Sequence, residues 1–167
     1  MRSVKEPTET EMLHRAATYC TAAERCIQDV EKKLSAAGLP PNAAEQIIAR
    51  LVQEKFIDES RYSRGFVNDK LRFNKWGRVK IAYELRRKHL PESVCAEALT
   101  AIDEEEYRTL LLSLLKEKKK TVRGKDNRDA FGKLLRFGVG RGFETSEVAA
   151  CLRTLGANGT DDEESMD

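Results

Sequence analysis

The sequence predicts an all-α fold, an elongated array of three tandem three-helix repeats, on three observations. The first is a faint internal repeat. Leu34, Gly38, Leu39, Pro40, Ile48 and Leu51 recur 51 residues later as Leu85, His89, Leu90, Pro91, Leu99 and Ile102; a further shift of 53 aligns Gly142, Phe143, Leu152 and Leu155 with His89, Leu90, Leu99 and Ile102. A period of about fifty residues marks stacked helical units, each too small to bury its apolar face alone. The second is that turn signals come at helical intervals, with apolar residues between them spaced by about 3.6. The third is that no segment alternates with period two, so no sheet is expected. Arrays of this kind offer a partner an extended surface rather than offering a substrate a pocket, which turns the functional question towards binding.

The elements follow in order. Residues 1–10 are expected to be a flexible N-terminus. Repeat 1 covers 11–57. Leu13, Ala16, Ala17 and Cys20 share one face of its first helix. Thr21 and Glu24 have the spacing of a capping box, opening a helix with Ile27, Val30 and Leu34 aligned. Gly38 stops that helix by supplying a left-handed residue. Pro40 and Pro41 suit the next start, with Asn42 and Glu45 offering a second capping box, and Ala44, Ile47, Ile48, Leu51 and Val52 form an amphipathic stripe.

Repeat 2 covers 58–102. Asp58 or Ser60 caps a helix patterned by Tyr62, Phe66, Val67 and Leu71, Asn74 to Gly77 turns, and Ile81, Ala82 and Leu85 pattern the second helix. Pro91 opens the third, with Cys95, Ala98, Leu99 and Ile102 on its stripe. His89 stands where repeat 1 has Gly38, so a left-handed turn residue explains it. Repeat 3 covers 103–156. Asp103 to Glu106 place acids against a positive helix N-terminus, and Tyr107, Leu111, Leu114 and Leu115 follow at helical spacing. Lys116 to Arg128 either prolongs that helix or frays into a loop. Phe131, Leu134 and Leu135 pattern the next helix, which is expected to end near Gly138, where three glycines within Phe137 to Gly142 each cost about 1 kcal/mol against alanine. Val148, Cys151, Leu152 and Leu155 pattern the last. Residues 157–167 are expected to be a disordered acidic tail.

Composition narrows the class. The chain has 167 residues, 40% hydrophobic and 35% charged, as expected of a soluble helical protein. It contains no apolar run of membrane-spanning length, which needs about 18 residues, and the apolar core of a signal peptide is missing from Met1 to Thr10, so the expected address is the cytoplasm. Cys20, Cys26, Cys95 and Cys151 form no CxxC pair, and with His14 and His89 they make no metal-ligand spacing, so they read as small buried hydrophobes and no cofactor is expected. The net charge of +2 averages unlike regions. Met1 to Asp58 holds 8 basic and 9 acidic residues, Lys70 to Arg141 holds 19 and 10, and Thr160 to Asp167 carries five acids and no base.

Within the basic middle, Lys70, Arg72, Lys75, Arg78 and Lys80 surround Phe73 and Trp76 at a turn. Such a segment can contact phosphates while an aromatic stacks on a base or a partner side chain. The alternative is a solvated helix junction with Phe73 and Trp76 packed inside. Arg86 and Arg87, with Lys88, either answer a helix dipole or bind a partner. The run Lys116, Lys118, Lys119, Lys120, Arg123, Lys125 and Arg128 is either a solvated face or a second basic patch. Arg61 and Arg64 lie on the polar side of the Tyr62–Phe66 helix, where exposed arginines anchor interfaces. The acids of the tail could shield the basic middle. A nucleophile elbow, a P-loop and an HExxH motif are all missing, so the chain reads as a non-enzyme.

Phe56 to Leu71 (FIDESRYSRGFVNDKL), Gly77 to Leu90 (GRVKIAYELRRKHL) and Lys133 to Phe143 (KLLRFGVGRGF) resemble the RecX family of bacterial recombinase regulators. The first two stretches match its Ile-Asp and Gly-Pro-Arg-Arg-Ile…Glu-Leu motifs, and the third its Leu-Leu-Arg-Phe…Arg-Gly-Phe motif. The resemblance runs from about Met12 to Leu155. Departures are Arg78 in place of the family's proline, Trp76 in its linker, and Gly138 and Gly140 at positions that are usually aliphatic or alanine. The resemblance implies a curved array of three three-helix repeats that binds the RecA nucleoprotein filament as a monomer. It further implies a modulator, chiefly an inhibitor, of ATP hydrolysis, strand exchange and recombination, in DNA repair and the SOS response, with single- or double-stranded DNA as a secondary partner. The rivals are a RecA-independent DNA- or RNA-binding helical protein and a protein-interaction scaffold.

Overall fold

A computed structural model describes residues 7–156 of the chain. Among the described residues there are nine helices and no strand: α1 (Glu9–Ala22), α2 (Ile27–Ala36), α3 (Pro41–Gln53), α4 (Glu59–Arg72), α5 (Arg78–Arg86), α6 (Glu92–Thr100), α7 (Glu104–Lys119), α8 (Asn127–Gly140) and α9 (Thr145–Thr154). They fall along the chain as three successive sets of three, the all-α repeat pattern read from the sequence. The expected acidic tail lies outside the described residues.

The repeat has a conformational counterpart. Gly38, His89 and Gly142, which share one register position, all adopt left-handed backbone, with φ of 84°, 58° and 95°. Each follows a helix, and in two of them the following amide closes a Schellman-type bond. Leu39 N–H donates to the Leu34 carbonyl at 3.1 Å, and Phe143 N–H to the Gly138 carbonyl at 3.2 Å. The chain is thereby turned at the same point of each repeat, and the next residue is delivered to the interior at Leu90 and Phe143 and, partly buried, against the core at Leu39.

Two compact units form. The first takes residues up to Phe66 together with Leu85–Ala98. In it α1, α2 and α3 pack on one another around Met12, Ala16, Cys20, Val30, Leu34, Ala44, Ile47, Ile48, Leu51 and Ile57. Burying each large aliphatic side chain contributes about 1.5–3 kcal/mol. The second unit takes Val67–Glu84 together with the described residues from Leu99 to Gly156. There α7, α8 and α9 pack on one another, and Ile81, Tyr107, Leu111, Leu115, Leu134, Phe143, Val148, Cys151 and Leu152 are buried. All four cysteines are free and buried. Among the described residues no helix is long and apolar enough to cross a membrane.

Four local expectations are corrected. Helix α1 starts earlier, at Glu9, because Thr8 and Glu11 form a capping box. It then continues through Thr21, whose hydroxyl donates to the Thr18 carbonyl at 2.8 Å, so Thr21 opens no new helix. The cap of α2 is Cys26, whose N–H donates to Asp29 at 3.2 Å. Asn42 lies within the first turn of α3, which starts from Pro40 with no side-chain cap; Pro41 at N1 has no N–H to satisfy. Helix α8 does not end near Gly138 but runs to Gly140. A Cβ on Gly138 would meet Val148 Cγ1 at 2.7 Å, so the missing side chain lets α9 pack directly on the α8 backbone, and that packing offsets the propensity cost.

The remaining starts follow the sequence. Asp58 Oδ1 accepts from Arg61 N–H at 3.0 Å, capping α4, and Asp103 accepts from Glu106 N–H at 2.8 Å, capping α7. Both alternatives for the lysine-rich run are realised in part: α7 extends to Lys119, and a loop carries the chain to the Asp126 cap of α8.

Candidate functional site

The turn between α4 and α5 is built by hydrogen bonds from both sides. Trp76 N–H donates to the Lys70 carbonyl at 3.0 Å, closing the end of α4, and Lys75 sits at a left-handed φ of 57°. Gly77 N–H donates to the Arg141 carbonyl and Val79 N–H to the Gly142 carbonyl, each at 2.9 Å. The Arg141 guanidinium also donates to the Asn74 carbonyl. The start of α5 is thus held by the α8–α9 connection.

On this frame Trp76 is half-buried, with the Lys80 and Lys70 ammonium groups 4.5 and 4.9 Å from its ring centroid. Cation–π contacts of this kind contribute about 0.5–1 kcal/mol each at exposed sites. Lys75 is exposed beside them, and Phe73 is 80% exposed, so the reading in which Phe73 packs inside is corrected. Two further apolar side chains on α5, Val79 (58% exposed) and Tyr83 (63% exposed), face solvent. They lie four residues apart and off the Ile81–Ala82–Leu85 stripe; that spacing was the available sequence signal. Together these groups make a cationic, aromatic surface suited to an anionic or planar partner group.

The other basic candidates are placed differently. Arg78, 21% exposed, pairs with Glu144 at 2.9 Å and with Glu104, and its guanidinium lies 4.0 Å over the Tyr107 ring. Its backbone N–H donates to the Tyr107 hydroxyl at 3.0 Å, and that hydroxyl donates to Glu144. Burial, followed by the Glu144 carboxylate, pushes the Tyr107 phenol above its ordinary range. Arg78 is therefore a packing anchor of the second unit. Arg72 donates twice to Glu106, at 2.9 and 3.3 Å. Lys118 approaches the Phe137 ring at 5.0 Å, Lys119 donates to the Leu155 carbonyl at 3.0 Å, and the Arg123 carbonyl accepts from Lys133.

Arg61, Arg64, Arg86 and Arg87 belong to the first unit. Arg61 pairs with Glu24 and donates to the Lys55 carbonyl at 3.2 Å, fastening α4 to the segments before α2 and after α3. Arg64 and Arg87 are exposed, and Arg86 is paired with Glu92 at 2.8 Å. Lys88, beside them, pairs with Asp29 at 3.3 Å. The structure thus gathers Lys70 and Lys80 about Trp76, places the neighbouring Lys75 in a cleft with Asp103, Glu105 and Glu106, and engages Arg61, Arg72, Arg78 and Arg86 in ion pairs. Arg141, which positions the turn, lies inside a motif read from the sequence, but no local signal marks its reach to Asn74.

Residues 58–99 match the family model for RecX, second three-helix domain. The chain is 30% identical over 138 residues to a protein of Pelodictyon phaeoclathratiforme named Regulatory protein RecX, covering 81% of this chain and 83% of that one. A second Regulatory protein RecX, from Prosthecochloris aestuarii, is 28% identical over 146 residues, covering 87% and 94%. A third, from Clostridium tetani, is 28% identical over 130 residues, and there the match covers 77% of this chain and only 59% of the relative. The crystal structure of RecX from Lactobacillus salivarius superposes with a TM-score of 0.79 at 17% identity, covering 89% of this chain and 96% of that one, a likeness of fold. With the three-repeat pattern, the Gly77 and Gly142 motifs and relatives matched over most of their length, the chain belongs to the RecX family of regulatory proteins.

Proposed function

We propose that this chain binds the RecA nucleoprotein filament and restrains its ATP hydrolysis and strand exchange, acting as a regulator rather than as an enzyme. Family membership supports the reading. The observation that carries it is the cluster at the α4–α5 turn, where Lys70 and Lys80 flank Trp76 beside the exposed Lys75 and Phe73. A hydrogen-bonded turn carrying several cations and no acid between Lys70 and Lys80 suits a groove lined by phosphates and acidic side chains. DNA is the secondary partner in this reading, and the cytoplasm is where the partner would be met.

The test is single-strand-dependent ATP hydrolysis by RecA with wild type or a Lys70→Glu/Lys75→Glu/Lys80→Glu variant added. Arg78 is left intact because it holds the fold. Inhibition by wild type at well below one chain per recombinase, weakened at least about tenfold in the variant, is the expected result. Absence of inhibition by wild type, with DNA binding retained when RecA is omitted, would instead identify a RecA-independent nucleic-acid binder.

A further inference from the structure

The first unit carries a groove that the α4–α5 cluster does not use. One wall is the Ile27, Glu31 and Ser35 ridge of α2; the other is Pro41, Ala44, Glu45 and Ile48 of α3, with Leu39 between them. Its volume is about 570 Å³. The spacing of the α2 residues is that of consecutive turns on one helix face, so the groove runs along the helix pair, the form that receives an amphipathic helix. Its floor is apolar, and its lining holds two acids, Glu31 and Glu45, and no base.

The same chain displays a complementary element. On α5, Val79 and Tyr83 are 58% and 63% exposed, one helical turn apart, on a segment that carries Lys75, Arg78 and Lys80 and no acid before Glu84. Exposed large apolar side chains four residues apart on a basic helix are what an apolar groove with an acidic rim accommodates.

We infer that α5 of one copy docks through Val79 and Tyr83 into the α2–α3 groove of a second copy, with Lys80 answering Glu31 and Glu45, giving head-to-tail self-association. The two surfaces differ, so the contact is heterologous and can propagate from copy to copy. It stands in place of the monomer expected from the sequence and does not depend on any other partner. One helix face in one groove is a small interface, of the weak and reversible class.

The experiment is sedimentation equilibrium of the full chain at loading concentrations between about 10 µM and 1 mM. Two variants at exposed positions break one surface each: Val79→Asp/Tyr83→Asp removes the face, and Glu31→Lys/Glu45→Lys reverses the groove. Far-UV circular dichroism verifies that both keep the helical fold. Wild type is expected to rise with concentration to twice the monomer mass and beyond, while each variant alone stays monomeric. An equimolar mixture of the two variants retains one intact face and one intact groove, so it is expected to recover a species of twice the monomer mass and stop there. A wild type monomeric throughout, a variant that associates as wild type does, or a mixture that remains monomeric would each overturn the inference.

Discussion

Gly77 and Gly142 meet backbone to backbone. A Cβ on Gly77 would lie 2.3 Å from the Gly142 carbonyl oxygen, and one on Gly142 would lie 2.3 Å from Lys80 Cβ. Two hydrogen bonds of 2.9 Å, from Gly77 N–H to Arg141 and from Val79 N–H to Gly142, close the contact. The start of α5 and the α8–α9 turn are therefore one joint, and the basic cluster is displayed from it.

Substitution at this joint should be costly. Gly77→Ala forces backbone apart and is expected to destabilise the protein by about 1–3 kcal/mol. Gly65, within α4, has nothing within 4 Å of an added Cβ. Gly65→Ala is expected to stabilise by about 0.5–1 kcal/mol, through the lower helix propensity of glycine. Urea denaturation of the two variants beside wild type checks both signs.

Arg78 should behave as a structural residue. Its pairing with Glu144 and its stacking on Tyr107 leave it 21% exposed. Arg78→Ala leaves the Glu144 carboxylate with the Tyr107 hydroxyl as its donor but removes the ion pair and the stacking on Tyr107, and is expected to cost about 1–3 kcal/mol. Tyr107→Phe removes an acceptor for Arg78 N–H and a donor to Glu144 and is expected to cost about 1–3 kcal/mol. Thermal unfolding should show both losses, and Lys75→Ala, at an exposed site, should show no more than about 0.5 kcal/mol.

Asp29 gives the first unit an acid-sensitive element. Burial opposes its ionisation, but the Cys26 N–H and thiol and the Lys88 ammonium outweigh it and hold the carboxyl below its ordinary value of 3.8. A carboxyl with a lowered folded-state pKa stabilises above the unfolded value, and that stability is lost as pH falls through the folded one. The gap in melting temperature between wild type and Asp29→Asn should therefore be full above about pH 5 and narrow progressively in stronger acid. Glu59 runs oppositely. Burial raises its carboxyl, so the charged form is disfavoured in the fold, and Glu59→Gln is expected to gain stability at neutral pH relative to acid. Melting curves across pH 3 to 7, approximately, check both directions.

The basic cluster should reveal itself by salt. If Lys70, Lys75 and Lys80 meet phosphates, affinity for the nucleoprotein filament falls steeply between about 50 and 200 mM salt, and each Lys→Gln change lowers the slope of log K against log salt by about one. Trp76, the one tryptophan in the chain, reports the same contact through its emission. A salt slope unchanged in Lys80→Gln would remove that residue from the contact.

Much of this protein is settled by local rules that a single sequence displays. Apolar spacing marked the buried face of most of the described helices, because burying an amphipathic stripe outweighs weaker preferences; the exceptions are Val52, read into the α3 stripe but 43% exposed, and Met12, buried in α1 where Leu13 was expected. The repeat register marked three of the left-handed positions, Gly38, His89 and Gly142, but not those at Lys55 and Lys75. Family motifs determined membership. Tertiary structure decided the rest. It carried α8 through Gly138, because Val148 fills the space a side chain would take, and it passed over the Thr21–Glu24 box in favour of Cys26 and Asp29. It also separated cations that look alike in sequence. Arg61, Arg72, Arg78 and Arg86 are matched by carboxylates from elsewhere in the chain, while Lys75 and Lys80, with Trp76 between them, remain on the surface. The physical reason is range: helix periodicity and turn chemistry act over a few residues, whereas an ion pair such as Arg78–Glu144 joins positions 66 apart that only the folded chain brings together.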